Sequence, residues 1–333
     1  MAHELWIDTA SGMASMFYVD EEPWHGLGTK LANPATSVEA IKAANLDWEV
    51  SKQALFVQQH DGYSLVDNRY AVTRPGTGTE PENVVLGVVG KGYTPLQNRE
   101  AFAFFDHVVG KQAAIYHTAG ALGNGERVWI LAKLPGTIQV VGDDVTDKYL
   151  LLSNSHDGSS AVQVKFTPIR VVCNNTLTMA LSEGETIRVP HTQDVRIMLQ
   201  RTERALGIIN RRYNDISQVF KAMARHQINQ EKVRQYLARV FPTPNDPADQ
   251  YGLRRSMELR ALAELLFDQG KGNRMHGVGG TLWAAYNGVT ELIDHRQTKQ
   301  TPDQRLTSIW YGDGYLTKAR AYREASTLLK KAA

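Results

Sequence analysis

The chain predicts an α+β protein: an antiparallel sheet packed on a helix, followed by a mainly helical C-terminal region with one long helix. Three observations carry this. Up to about residue 190, short runs of alternating apolar and polar residues are separated by turn signals such as Asp-Gly, Gly-Asn-Gly and Pro-Gly. One amphipathic helical stretch sits among those runs. After His191 the apolar period lengthens to three or four residues. Short hairpin turns favour antiparallel pairing, because parallel strands need long crossovers.

In chain order, residues 1–36 show little periodicity and read as an N-terminal arm packed by Trp6, Phe17, Tyr18 and Trp24. SVEAIKAANL (37–46) is a short helix capped by Ser37. WEVSKQALFVQ, the pair YSLV and RYAVTR, and NVVLGVV are strands, with Asp-Gly and Asp-Asn turns between them. In GYTPLQNREAFAFFDHVVG, Asn98 is a good N-cap, and Ala101, Phe102, Phe105, Val108 and Val109 form one apolar stripe. The strands QAAIYHTAGAL, ERVWILAKL with TIQVV, KYLLLSNS and AVQVKFTPIRVV complete a sheet domain over 37–190. NNTLTMAL reads as a helix capped by Asn174 or Asn175.

From Asp194, apolar residues recur over a single helix of roughly 30 residues whose other face is rich in Arg. A second helix spans about 229–240, and FPTPNDPADQYG is a Pro-rich break. Residues 253–330 are helical around GKGNRMHGVGG, so 191–333 form a helical basic region.

Hydrophobic residues at 42% and charged residues at 22% describe an ordinary globular chain. No apolar run reaches the ~18 residues of a membrane span. The acidic start predicts no signal peptide, and the single Cys173 excludes an internal disulfide framework or Cys-based zinc cage. A cytoplasmic location, in a bacterial host cell, is the expectation. The net charge of +2 hides an asymmetry. Residues 1–182 hold 13 Lys/Arg against 19 Asp/Glu, a net of −6, and residues 183–333 hold 24 against 16, a net of +8. Such a division suggests an anionic partner or subunits stacking head to tail, although mixed surfaces also divide this way by chance.

His156-Asp157 has two readings. As an enzyme site, the pair, perhaps with His25 of Trp24-His25-Gly26, would serve a metal-assisted hydrolase or nuclease. As a turn, Asp157 caps its own Asp-Gly backbone. No His-Glu-x-x-His or Ser/His/Asp pattern supports the first, and strand neighbours point to opposite faces. Along 161–173, Val162, Val164 and Phe166 share one face and Gln163, Lys165 and Thr167 the other. Lys165, Arg170 and a helix start at Asn174-Asn175 would make a phosphate-contacting edge; Arg170 pairing a carboxylate is the alternative. GKGNRMHGVGG lacks Walker spacing, so either Lys271 and Arg274 touch a phosphate backbone or the segment is a plain interhelical loop. No cofactor or metal is implied.

PWHGLG (23–28), YTPLQNREAF (93–102), NSHDGSSA (154–161), TPIRVVCNNTL (167–177) and GTLWAAYNGVTELIDH (280–295) together resemble the phage/plasmid-like proteins grouped as domain of unknown function 932. The resemblance implies a role in DNA recombination, replication or defence evasion and brings no catalytic residues. In outline the layout is similar to ring-forming single-strand annealing proteins, a likeness of fold only. The expectation is therefore a non-enzymatic homo-oligomer, as a ring, that binds single-stranded DNA. Lys165 and Arg170 would contact phosphates, supported by Arg201, Arg204, Arg211 and Arg212. Tyr116, Trp129 or Tyr149 would offer stacking surfaces. The alternatives are the hydrolase and a non-catalytic protein that binds a host factor.

Overall fold

Val128, Ile130 and Ala132 alternate with Trp129 and Leu131, so this segment is apolar on both faces and needs cover on both. It forms the centre of β7 (Arg127–Val141), and its partner β8 (Asp144–Ser155) repeats the pattern with Leu150 and Leu152 against Tyr149 and Leu151. The structure, a computed structural model, describes residues 5–19, 27–33, 35–110, 115–170, 175–176, 187–191, 211, 213–296, 308–309 and 312–332. The fold is α+β with antiparallel sheets, as the alternation predicts.

The large sheet runs β11-β10-β8-β7-β6-β1-β2, with β9 and β12 continuing from the upper part of β8. Its other members are β1 (Met16–Val19), β2 (Thr29–Leu31), β6 (Ile115–Leu122), β9 (Val162–Phe166), β10 (Ile169–Arg170), β11 (Asn175–Thr176) and β12 (Ile187–Val189). Among the described residues only β1 and β2 pair parallel. Part of the stretch read as an arm is therefore an inner strand, since β1 lies between β2 and β6. One sheet face buries Val128, Ile130, Leu150, Leu152 and Val164 against helices. The other buries Trp129, Leu131, Leu151, Met16 and Tyr18 beneath Leu5 and Ala14. A second, three-stranded sheet runs β3 (Ser51–Gln59), β4 (Gly62–Pro75), β5 (Asn83–Gly90) around Val50, Val72, Leu86 and Val89.

Two expected turns are bulges. Asp67-Asn68 lies inside the continuous β4, where Asn68 takes φ +58°, and Pro135-Gly136 lies inside β7, where the register slips between Lys133 and Thr137. Pairing before and after the irregularity with a single neighbour, β3 for β4 and β8 for β7, holds each strand through it. The helix α1 (Ser37–Ala43) is capped by Thr36, which forms a capping box with Glu39. In α2 (Asn98–Gly110), Asn98 does not cap: its Nδ2 donates to the Leu46 carbonyl at 3.0 Å in the interior.

The helical layer comprises α3 (residues 213–225), α4 (Gln230–Val240, capped by Asn229), α5 (Gln250–Gln269), α6 (Leu282–Glu291, capped by Thr281), a π-turn over Leu292–Arg296, and α7 (Asp313–Ala332). The expected long helix is described from its later part only; Arg201, Arg204 and Arg212 lie outside the described residues. Every residue of α6 is buried, and Trp283 Nε1 donates to Asp144 Oδ2 at 2.7 Å, which fastens the helical layer to β8. Tyr213 adds a second tie through the Tyr149 carbonyl.

Candidate nucleic-acid interface

The turn after β8 holds the candidate pair His156-Asp157. His156 is fully buried, its backbone N–H bound to the Glu126 carbonyl and its ring 5.5 Å from Trp48. Asn98 spends its amide N–H on Leu46, so its Oδ1 faces His156 Nε2 at 3.0 Å and accepts a hydrogen bond from the ring N–H. Burial, with His191 nearby, pushes the His156 pKa down to about 3 against the opposing pull of Asp157. The ring is neutral at physiological pH. Asp157 turns the other way, accepting from Ser159 N–H at 2.8 Å and from the Ser155 hydroxyl, with Gly158 at φ +75° closing the turn. Burial raises the Asp157 carboxyl, but those hydrogen bonds and Arg127 hold it low. His156 and Asp157 therefore do not converge on one atom, and His25 lies outside the described residues. Among the described residues no group of three His, Cys, Asp or Glu is placed to hold a metal.

The same turn joins the two sheets. Tyr93 donates to the Ser155 carbonyl at 2.9 Å and stacks on His191 at 4.5 Å, while Asn154 donates to the Leu96 carbonyl at 3.2 Å. Gly87 of β5 approaches so closely that a Cβ there would stand 2.5 Å from Asp157 Cα. Only glycine fits. Gly87→Val should therefore lower the thermal midpoint, by displacing β5 from the turn, and a calorimetric scan reads it directly.

The edge proposed at Lys165 and Arg170 needs correction. Lys165 does lie opposite the Val162–Val164–Phe166 face, but it is buried, with its Nζ 4.6 Å from the ring centre of Tyr315 on α7. Burial and the neighbouring Arg188 bring its pKa down to about 8. No helix opens at Asn175: Asn175 and Thr176 pair antiparallel with β10, Arg170 opposite Asn175 and Ile169 opposite Thr176. Strand pairing has overridden the capping preference of Asn, so the helix-end phosphate seat is withdrawn. Asn174 lies outside the described residues. Tyr116, Trp129 and Tyr149 are core residues and present no face to a base.

The glycine-rich loop 270–280 is held from within. Asn273, buried, donates to the carbonyls of Leu266 and Ala284, and Val278 is buried. Glu291 accepts from the Lys271 backbone N–H at 2.7 Å. Lys271 and Arg274 point outward from this fixed base.

A cluster that sequence reading missed lies on α5. Asp249 caps the helix by accepting from Gly252 N–H at 2.8 Å, which sets its first turn. Tyr251, Arg254 and Arg255 then fall at i, i+3 and i+4, one helical face. All three are exposed, Tyr251 at 69%. Neither arginine has a carboxylate partner among the described residues, and the same holds for the exposed Arg211, Arg225, Lys232, Arg239 and Arg274. The spacing is present in QYGLRR, directly after a Pro-rich break that masks the start of the helix in the sequence.

An α+β fold with a buried histidine turn and an exposed cationic helix defines this chain's class. The family described as Domain of unknown function (DUF932) matches residues 85–310, most of the chain, and the chain belongs to that family. It is also similar to the UPF0380 protein YafZ of Escherichia coli (strain K12), 36% identical over 90 residues. That stretch covers 27% of this chain and 32% of YafZ, so the match spans about a third of that relative's length. No solved structure matches the chain. No helix among the described residues is long and apolar enough to cross a membrane.

Proposed function

We propose that the protein is an oligomeric single-stranded nucleic-acid binder, and in its finer form a phage- or plasmid-type single-strand annealing protein acting in the cytoplasm of a bacterial host. The observation that carries the reading is the Tyr251-Arg254-Arg255 face of α5. An exposed aromatic ring beside two exposed guanidinium groups supplies a stacking platform and phosphate contacts together, as binding without sequence preference requires. Arg274 and Lys271 are exposed on the loop that follows the other end of α5, and the +8 balance of residues 183–333 supports the reading.

Fluorescence anisotropy with a labelled oligothymidylate tests the reading. Binding should weaken steeply with salt, and Arg254→Ala with Arg255→Ala should reduce the slope of log affinity against log salt by about 1.4, roughly 0.7 per phosphate contact on a single strand. Tyr251→Ala should cost about 1–3 kcal/mol of affinity, the range for one base stacked on an aromatic ring. Absence of binding at low salt overturns the proposal. Faster pairing of complementary labelled strands in the presence of protein tests the annealing form.

A further inference from the structure

The first half of the chain carries an apolar surface that stays exposed among the described residues. Beyond the β-bulge at Ala54–Phe56, strands β3 and β4 leave the three-stranded sheet as a two-stranded arm. None of residues 53–69 is buried. Phe56 lies opposite Leu65 and Gln58 opposite Tyr63, so Phe56, Leu65 and Tyr63 share one face of the ribbon. They are 56%, 54% and 76% exposed. A free two-stranded ribbon is marginal in water, and an apolar strip of this kind marks an interaction surface.

The second half carries a matching recess. Leu262 and Leu265 on α5 border a groove of about 330 Å³ that continues over Leu266, Gln269, Leu292 and Arg296. Both leucines are nearly half exposed. The arm therefore does not sit in its own chain's groove. The two surfaces differ in shape, and the halves that carry them differ in the sign of their net charge. The arm bears Asp61 and Asp67 and belongs to the half with net charge −6, whereas the groove belongs to the half with +8, its own Arg296 being paired with Glu291 at 3.0 Å.

We infer that copies of this chain assemble head to tail, the β3–β4 arm of one seated in the α5 groove of the next. Two different patches meet in such a contact, so each subunit offers a free arm at one end and a free groove at the other, and the series closes as a ring or runs on as a filament. The apolar strip supplies the contact, and the opposite charges of the two halves set its polarity and suppress arm-to-arm or groove-to-groove pairing. The contact lies about 11 residues along α5 from Tyr251, roughly 16 Å at 1.5 Å per residue, and does not depend on the nucleic-acid reading.

Light scattering on the full chain without nucleic acid tests it. The wild type should have a mass above the monomer that rises with concentration. Phe56→Glu with Leu65→Glu should give monomers, and so should Leu262→Glu with Leu265→Glu. Mixed in equal amounts, the two monomeric variants should form a dimer and nothing larger, because each keeps one intact half of the contact. Circular dichroism confirms that the variants fold; should a pair of charges unfold the chain, Tyr63→Ser and Leu265→Ser replace them. A monomeric wild type overturns the inference, as does a groove variant that keeps the wild-type mass or a mixture that stays monomeric. Oligomers that appear only when single-stranded DNA is added also overturn it, and assign the arm to the nucleic acid.

Discussion

Glu80→Ala should lower the folding free energy by about 3–5 kcal/mol at neutral pH, the cost of leaving a buried charge without its counter-ion. The stranded charge is Arg74, whose side chain is sealed from solvent on β4. Glu80 receives both ends of its guanidinium, Nη1 at 2.8 Å and Nη2 at 2.7 Å. The carbonyls of Asn124 and Pro75 take further N–H groups, and the Trp6 ring lies 4.0 Å from the guanidinium carbon. Those neutral partners cannot replace a carboxylate in a low-dielectric setting. The pair fastens the three-stranded sheet to the N-terminal segment, because Trp6 Nε1 also donates to Glu80 at 3.2 Å.

The pH dependence of that effect has a definite sign. The hydrogen bond from Arg74 leads the causes that bring the Glu80 carboxyl from 4.5 down to about 2, against the opposing effect of burial. A carboxylate with a depressed folded pKa contributes stability that is complete above its unfolded value and fades as pH falls through the folded one. The difference in urea stability between wild type and Glu80→Ala should therefore hold from pH 7 to about 5 and shrink between about 4.5 and 2. A difference that is flat with pH would mean that packing, not the ion pair, is what Glu80 supplies.

The parts of the fold that sequence made legible are those set by period. A β7 that is apolar at every position from Val128 to Ala132 announces burial on both faces, and Thr281 followed by the apolar run Leu282 to Tyr286 announces α6. Turn signals failed where one strand partner, paired before and after the irregular residue, absorbed it: β3 at Asn68 and β8 at Gly136. Asn98 and Asn175 failed for a related reason. Their side chains suit helix caps, but a buried bond to Leu46 claimed one and a strand partner claimed the other.

Charge was harder to read. Lys165 has a polar-face address in the sequence, yet Tyr315, 150 residues later, covers it. Which cations stay exposed and unpaired depends on such long-range contacts, so the imbalance between halves was visible while the Tyr251 face was not. The family segments YTPLQNREAF and NSHDGSSA meet at the turn through Tyr93, Asn98, Asn154 and His156. Their shared duty is to join two sheets.

Lys318→Met should be the second severe lesion, costing about 3–5 kcal/mol for the same class of reason. Lys318 on α7 has no solvent exposure, and its Nζ donates at 2.8 Å to Oδ1 of Asp294, which is only 3% exposed in the π-turn after α6. Burial pulls the Lys318 pKa down while Asp294 pulls it up, so the Asp294 carboxylate favours the charged ammonium against its burial. Methionine fills the volume and removes the charge, leaving the Asp294 carboxylate buried without its ammonium. Pairing the change with Asp294→Leu separates two accounts of the loss. If desolvation of the surviving carboxylate is the cause, the double variant should recover most of the stability, because apolar residues replace a buried pair at little net cost. If the ion pair instead fixes the angle between α7 and the π-turn, the double variant should stay as weak as Lys318→Met. Urea unfolding of the four proteins, read as a double-mutant cycle, decides between them.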